Sequence, residues 1–176
     1  TNKTEGVFET KDTEQITRVV REDSSGALKS VTFERTPIKY RWDNNIVAIK
    51  PLKIDLDGYF EVHGNMEIDG DLNFNHNLIV HGNIVVKGNI NYPSNISLTA
   101  IDIECNGNIT GGWLCAEYLT AKNINVSGIE TIGNITAENI RSKTYVSSSG
   151  SIQATSIRSK YDIDANDTID LLDEIE

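Results

Sequence analysis

The chain has 176 residues, 38% of them hydrophobic, and its 16 Lys+Arg against 26 Asp+Glu give a net charge of −10. That balance argues against nucleic acid and anionic membrane surfaces as partners, because no basic surface is available to displace counterions from phosphate. No apolar run approaches the ~20 residues needed to insert across a bilayer, and Cys105 and Cys115 are too few for a disulfide framework. The length suits one medium domain or one domain with a small appendage, and no signal-peptide pattern is recognisable.

Residues 1–50 read as short strands, GVFE, QITRVVRE, LKSVTFER and IKYRW, broken by Asp23-Ser24-Ser25-Gly26 and by Asn44-Asn45. Alternation across residues 16–21 and 31–35, joined by the Ser-Gly stretch, predicts an antiparallel hairpin. The economical role for this segment is a small β cap, or a docking module for a larger particle, at one end of the repeat region.

From residue 54 to residue 95 the chain falls into hexads: IDLDGY, FEVHGN, MEIDGD, LNFNHN, LIVHGN, IVVKGN and INYPSN. Positions one and three are large and apolar throughout, which places both side chains on one face of a short strand. Position five is Gly except at His76 and Ser94, and suits a sharp corner where φ turns positive or backbones crowd. Position six is nearly always Asn or Asp, which tolerates corner conformations and hydrogen-bonds locally. Strand and corner alternating with no hairpin signal predict a parallel β-solenoid.

After residue 95 the spacing changes. Residues 107–113 are Gly-rich and irregular, and from Leu114 the motif becomes aliphatic-x-small, as in LTAKNINVS, ITAENIRSK and IQATSIRSK. A shift of seventeen or eighteen is one three-sided turn of about six residues per side, and turns stack at ~4.8 Å. The expected fold is therefore all-β, a three-sided parallel β-solenoid of about six turns over residues 51–160. It carries the N-terminal β segment at 1–50 and an acidic cap or tail at 161–176. Small inward residues such as Ala116, Ala121, Ala137 and Ser142 predict a taper towards the C-terminus. An eighteen-residue shift predicts columns Ile54–Leu72–Ile90, Leu56–Phe74–Tyr92, Phe60–Leu78–Ile96 and Val62–Val80–Leu98.

The spaced apolar-x-apolar-x-Gly units, for instance MEIDGDLNFN and LIVHGNIVVKGNI, resemble the bactofilins, bacterial cytoskeletal proteins with a three-sided β-helix that polymerises end to end. The resemblance covers about residues 54–160. It implies self-assembly through the terminal turns, without nucleotide or catalysis, and a cytoplasmic setting. Bactofilin cores usually carry short disordered tails, whereas residues 1–50 here read as folded.

Four groups of residues bear on chemistry. His63 and His81 hold the same hexad position one turn apart and should stack on the outer surface, with Thr99 next in that column. With no third ligand in register they read as solvent-facing residues. Asp162, Asp164, Asn166, Asp170 and Asp173 fall at positions one, three, five, nine and twelve of a calcium-loop spacing like that of EF-hands and dockerins. Asp167 stands where Gly is expected and no helix precedes the loop, so the competing reading is a short helix of Ile169, Leu171, Leu172 and Ile175 capping the last turn. Sequons at Asn2, Asn95, Asn108, Asn125, Asn134 and Asn166 fit the preference of the repeat for Asn before Ile. Cys105 and Cys115 read as small buried residues.

The sequence thus supports a non-catalytic, self-associating solenoid whose main partner is itself and whose only suggested cofactor is Ca2+. The alternative is a phage or virus fibre or surface adhesin, with the solenoid as a rigid spacer on a virion or cell surface. A hexapeptide-type acyltransferase is a weaker alternative, because such enzymes repeat one aliphatic residue per side and use a catalytic His. The first half here carries two large residues per side and the second half has no His.

Overall fold

The computed structural model describes residues 10–12, 16–22, 28–35 and 39–172, with side chains from residue 40 onward. The GVFE segment, the turn at 23–26, Asn2, Asp173 and Ile175 lie outside the described residues. From Lys39 onward the strands run parallel to one another, and each pairs with the strand three places before or after it in the chain. That pairing is a three-sided parallel β-solenoid, with no helix among the described residues. A first sheet runs from the strand Lys39–Trp42 to Ile163–Ala165, a second from Ile46–Ala48 to Ile169–Leu171, and a third from Leu52–Ile54 to Ser156–Ser159. Two antiparallel pairings precede it. Thr10–Asp12 lies along the edge of the first sheet against Lys39–Trp42, and Ile16–Glu22 pairs with Leu28–Arg35 as the expected hairpin.

Most sides are three or four residues long because two inward side chains flank one outward one, as in Met66–Ile68, Leu72–Phe74 and Leu78–Val80. Period-two alternation makes this geometry automatic once a face is buried. The inward residues form one continuous core along the axis. Met66, Ile84 and Ile103 occupy one column, and Leu72, Ile90 and Ile109 another, all almost wholly buried. Burying one such aliphatic side chain is worth about 1.5–3 kcal/mol.

The coil is longer than expected, about 8 turns in place of six, or roughly 35–40 Å at the interstrand spacing. It starts at Lys39, ahead of residue 51, because Lys39–Trp42 and Ile46–Ala48 already pair in parallel with the next turn. It also runs past residue 160. Ile163–Ala165 and Ile169–Leu171 are strands in register with the turn before, where the competing reading placed a capping helix.

The columns need one correction. Phe60–Leu78, Val62–Val80, Leu72–Ile90 and Phe74–Tyr92 stand as expected, the last with rings stacked 4.7 Å apart. The outer members shift by two: Leu52 lies over Leu72, Ile54 over Phe74, and Leu78 over Leu98. Two corners hold the extra residues, at 55–58 and 92–96. Coil length then contracts, with Leu114 over Ile129 and Ile109 over Ile124, before Ile129–Val146 and Val146–Ile163 restore seventeen. The coil therefore shortens from twenty residues at the first turn to fifteen in mid-column and lengthens to seventeen at the end. Its small inward positions include buried Thr131, Ser142 and Ser148. Their hydroxyls donate to the carbonyls of Gly133, Tyr145 and Gly133 at 2.8–2.9 Å, so no polar group is stranded there.

The corner residues act across turns, where the sequence suggested local bonds. Asn65 accepts the backbone N–H of Asn83 and Asp71 that of Asn89, at 2.8–2.9 Å, and Asn89 accepts that of Asn108. Among the described residues only Gly70 has a positive φ, at 141°. Gly82 is selected by crowding: a Cβ there would overlap the Asn65 side chain and the Gly64 carbonyl one turn below. The two roles belong together, since the Asn acceptor occupies the space the missing Cβ leaves.

Ile84→Ala should cost about 2–5 kcal/mol in urea unfolding, while exposed Glu67→Gln, on the outer face of the adjoining rung, should stay within about 0.5 kcal/mol. Asn65→Ala should cost about 1 kcal/mol by orphaning the Asn83 N–H, and Gly82→Ala about 1–3 kcal/mol through overpacking.

Candidate functional site

The two ends of the column differ. At the first turn Ile46 and Ile54 are at most 3% exposed, while Tyr40, Trp42 and Leu52 are partly buried. At the last described turn the equivalent inward residues stand open: Ile163 is 37%, Ile169 45% and Leu171 39% exposed, with Leu172 beside them. The inward side chains of this turn have the turn before on one side and no described turn on the other. Among the described residues their strands also end the first and second sheets. Around this apolar centre the outward positions carry Asp162, Asp164, Asp167 and Asp170, and no Lys or Arg follows Lys160 in the sequence.

The calcium-loop residues are thus placed on the coil. Asp162 and Asp164 flank Ile163 on the first sheet, where with Glu130, Tyr145 and Tyr161 they line an open groove of about 400 Å³. Asp170 projects from the second sheet, in line with Gln153. All are exposed. The strands hold them on two faces, and among the described residues no group of three metal-ligating side chains forms at this end. The sequons at Asn95, Asn108, Asn125, Asn134 and Asn166 are all exposed corner or outward positions.

His63 and His81 do stack, with centroids 4.2 Å apart and ring planes 22° from parallel. Both come directly after the strands Tyr59–Val62 and Leu78–Val80, whose register puts Leu78 over Phe60. Their backbone N–H groups bond to the carbonyls of Trp42 and Val62, at 2.8 Å each. The sequence reading missed a third group. Glu61 lies two residues before His63, hence on the same outward face. Its Oε1 is 3.1 Å from His81 Nε2 and its Oε2 is 3.7 Å from His63 Nε2. The Nε2 of His63 is buried and has no hydrogen bond. Glu61 and both imidazoles bring their ligand atoms within 4.8 Å of one another. A Glu-x-His segment one coil away from a second His was the available signal. Thr99 stands in a different column, over Ile79.

Both cysteines are free, Cys105 buried and Cys115 partly so. Burial pushes both thiols above their ordinary range, helped at Cys115 by the carboxylate of Glu130 beside it in the next rung. Burial does the same to the Tyr92 phenol, whose O–H donates to the Trp113 carbonyl at 3.0 Å. Reactive thiols need the opposite shift, so these are packing residues.

No family model, no curated protein and no solved structure matches this chain. Function has to be read from the column itself.

For Cys105, Cys115 and Tyr92 the folded form holds its proton to higher pH than the unfolded chain does. Their contribution to stability is complete below the ordinary thiol value of 9.0 and is lost as pH rises above it. The urea midpoint should stay level from neutrality to about pH 8 and fall beyond it. Alkylation of the native thiols at neutral pH should be slow and become complete on unfolding.

Proposed function

We propose that the protein is a non-catalytic structural module that associates with copies of itself through the C-terminal end of its β-solenoid. The observation that carries this reading is the exposed apolar side chains of the last described turn, whose strands end two of the three sheets among the described residues. A parallel column can cover such an end by adding another rung. The resemblance to the bactofilins points the same way. The inward side chains form one core packed along the axis, which favours a scaffold over a catalyst.

Charge selects the form of the contact. The apolar centre is ringed by Asp162, Asp164, Asp167 and Asp170, so two identical ends repel one another. An acid-rimmed end instead favours a non-equivalent surface of the next copy, and repetition of such a contact gives an open chain of rods. Covered Ile46 and Ile54 at the first turn favour a second reading, a discrete rod whose N-terminal β segment docks on a larger particle.

Sedimentation across a concentration series, with negative-stain images, tests the proposal. The expected result is a concentration-dependent series of end-joined rods. Ile169→Lys with Leu171→Lys should stop the series at single rods with an unchanged β-sheet spectrum. Single rods at every concentration, or a variant that assembles as well as the parent, would refute it. A deletion that separates the two readings must end before Lys39, since removing all of 1–50 strips the first turn. The scaffold should still assemble without its N-terminal β segment, and a docking module should not bind its particle.

A further inference from the structure

We propose that Glu61, His63 and His81 form a binding site for one divalent transition-metal ion of the zinc class. The fold supplies the arrangement. In-register parallel stacking places one imidazole over the other with centroids 4.2 Å apart, and strand alternation sets Glu61 beside them on the same outer face. The carboxylate divides its oxygens between the two rings, Oε1 facing His81 Nε2 and Oε2 facing His63 Nε2. His63 Nε2 is buried without a hydrogen bond, so the acceptor that a metal would use is already stripped of solvent. All three ligand atoms lie within 4.8 Å of one another.

Two imidazoles and a carboxylate are a donor set for zinc-class ions, whereas calcium and magnesium prefer oxygen alone. Ligands held 2.0–2.1 Å from tetrahedral zinc are about 3.3 Å apart, so the set has to close by roughly an ångström. The freedom for that closure lies in His81, whose side chain is 47% exposed. Its ring must also tilt away from the parallel stack so that both lone pairs converge. An Nε2 that carries a proton passes it to Nδ1 or to solvent when the metal binds. The neighbouring charges are Arg41, in the rung beside Glu61, and Asp43, which pair with each other. The bound ion joins the second turn to the third, clipping adjacent rungs together on the outer wall, and its remaining position is open to water.

The test uses the untagged, metal-stripped full chain titrated with Zn2+ alone, followed by calorimetry and by imidazole 15N resonances. The expected result is one ion per chain, with the Nε2 resonances of both His63 and His81 shifted and the melting temperature raised by the ion. Glu61→Gln, His63→Asn and His81→Asn should each weaken binding at least about tenfold. These side chains point outward, so the metal-free variants should melt close to the parent; His81→Gln serves if His81→Asn does not fold. Asp162→Asn with Asp164→Asn should leave uptake unchanged. Absence of one-to-one uptake, or uptake that survives loss of both histidines, would overturn the site and assign the ion to the acidic end.

Discussion

Parallel strands that pair in register place each residue directly over its equivalents in the turns before and after, about 4.8 Å away. This single constraint organises the molecule. It lets an inward Leu72 meet Ile90 and then Ile109, so the core is a set of like-on-like columns rather than a mosaic. Each turn packs only against its neighbours along the axis, which makes stability a sum over adjacent turns. The same constraint forces like to meet like on the outside, where the consequences for charge and for ligand chemistry are less forgiving.

The corners show what close stacking demands. With turns this near, a corner carbonyl and the side chain above it compete for the same space. Gly82 yields that space and the Oδ1 of Asn65 fills it, taking the N–H of Asn83. The corner thereby satisfies backbone groups that would otherwise sit half-buried without partners. Further along, Asn139 donates to Asn123 and Asn123 to Asn108 through their side chains, continuing the polar ladder outside the aliphatic columns. Where extra residues enter, at 55–58 and 92–96, the coil absorbs them at one corner and the three faces stay in register.

A column built this way has two kinds of surface on which to act. Its sides repeat, so a single outward residue type is presented again one rung later, as His63 and His81 are. Its ends do not repeat, and an end that lacks a further rung exposes core side chains and strand edges together. The acid rim around the last turn adds a direction to that exposed end: it disfavours pairing with its own image while leaving the apolar centre available. The proposed self-association through the end and the proposed cross-turn ion on the side would be independent uses of one geometry.

Residue order alone set the inward-outward assignment of nearly every position in the first half, because apolar-x-apolar spacing has one meaning in a strand. It likewise set the three-sided parallel class, the Phe74–Tyr92 stack and the histidine stack, which derive from hexads that repeat at eighteen. It did not set where the coil begins and ends. Lys39–Trp42 and Ile163–Ala165 lack the Gly-Asn corner text, and they become rungs only because a neighbouring turn supplies the partner strand. Nor did it set the column offset of two, since a corner can absorb residues without altering the pattern on either side. Glu61 was legible only as an outward acid; its place between two imidazoles depends on the register of one particular turn over the next. Which end lies open was likewise decided in three dimensions, because burial of an inward residue depends on whether another rung covers it, and local spacing carries no record of that.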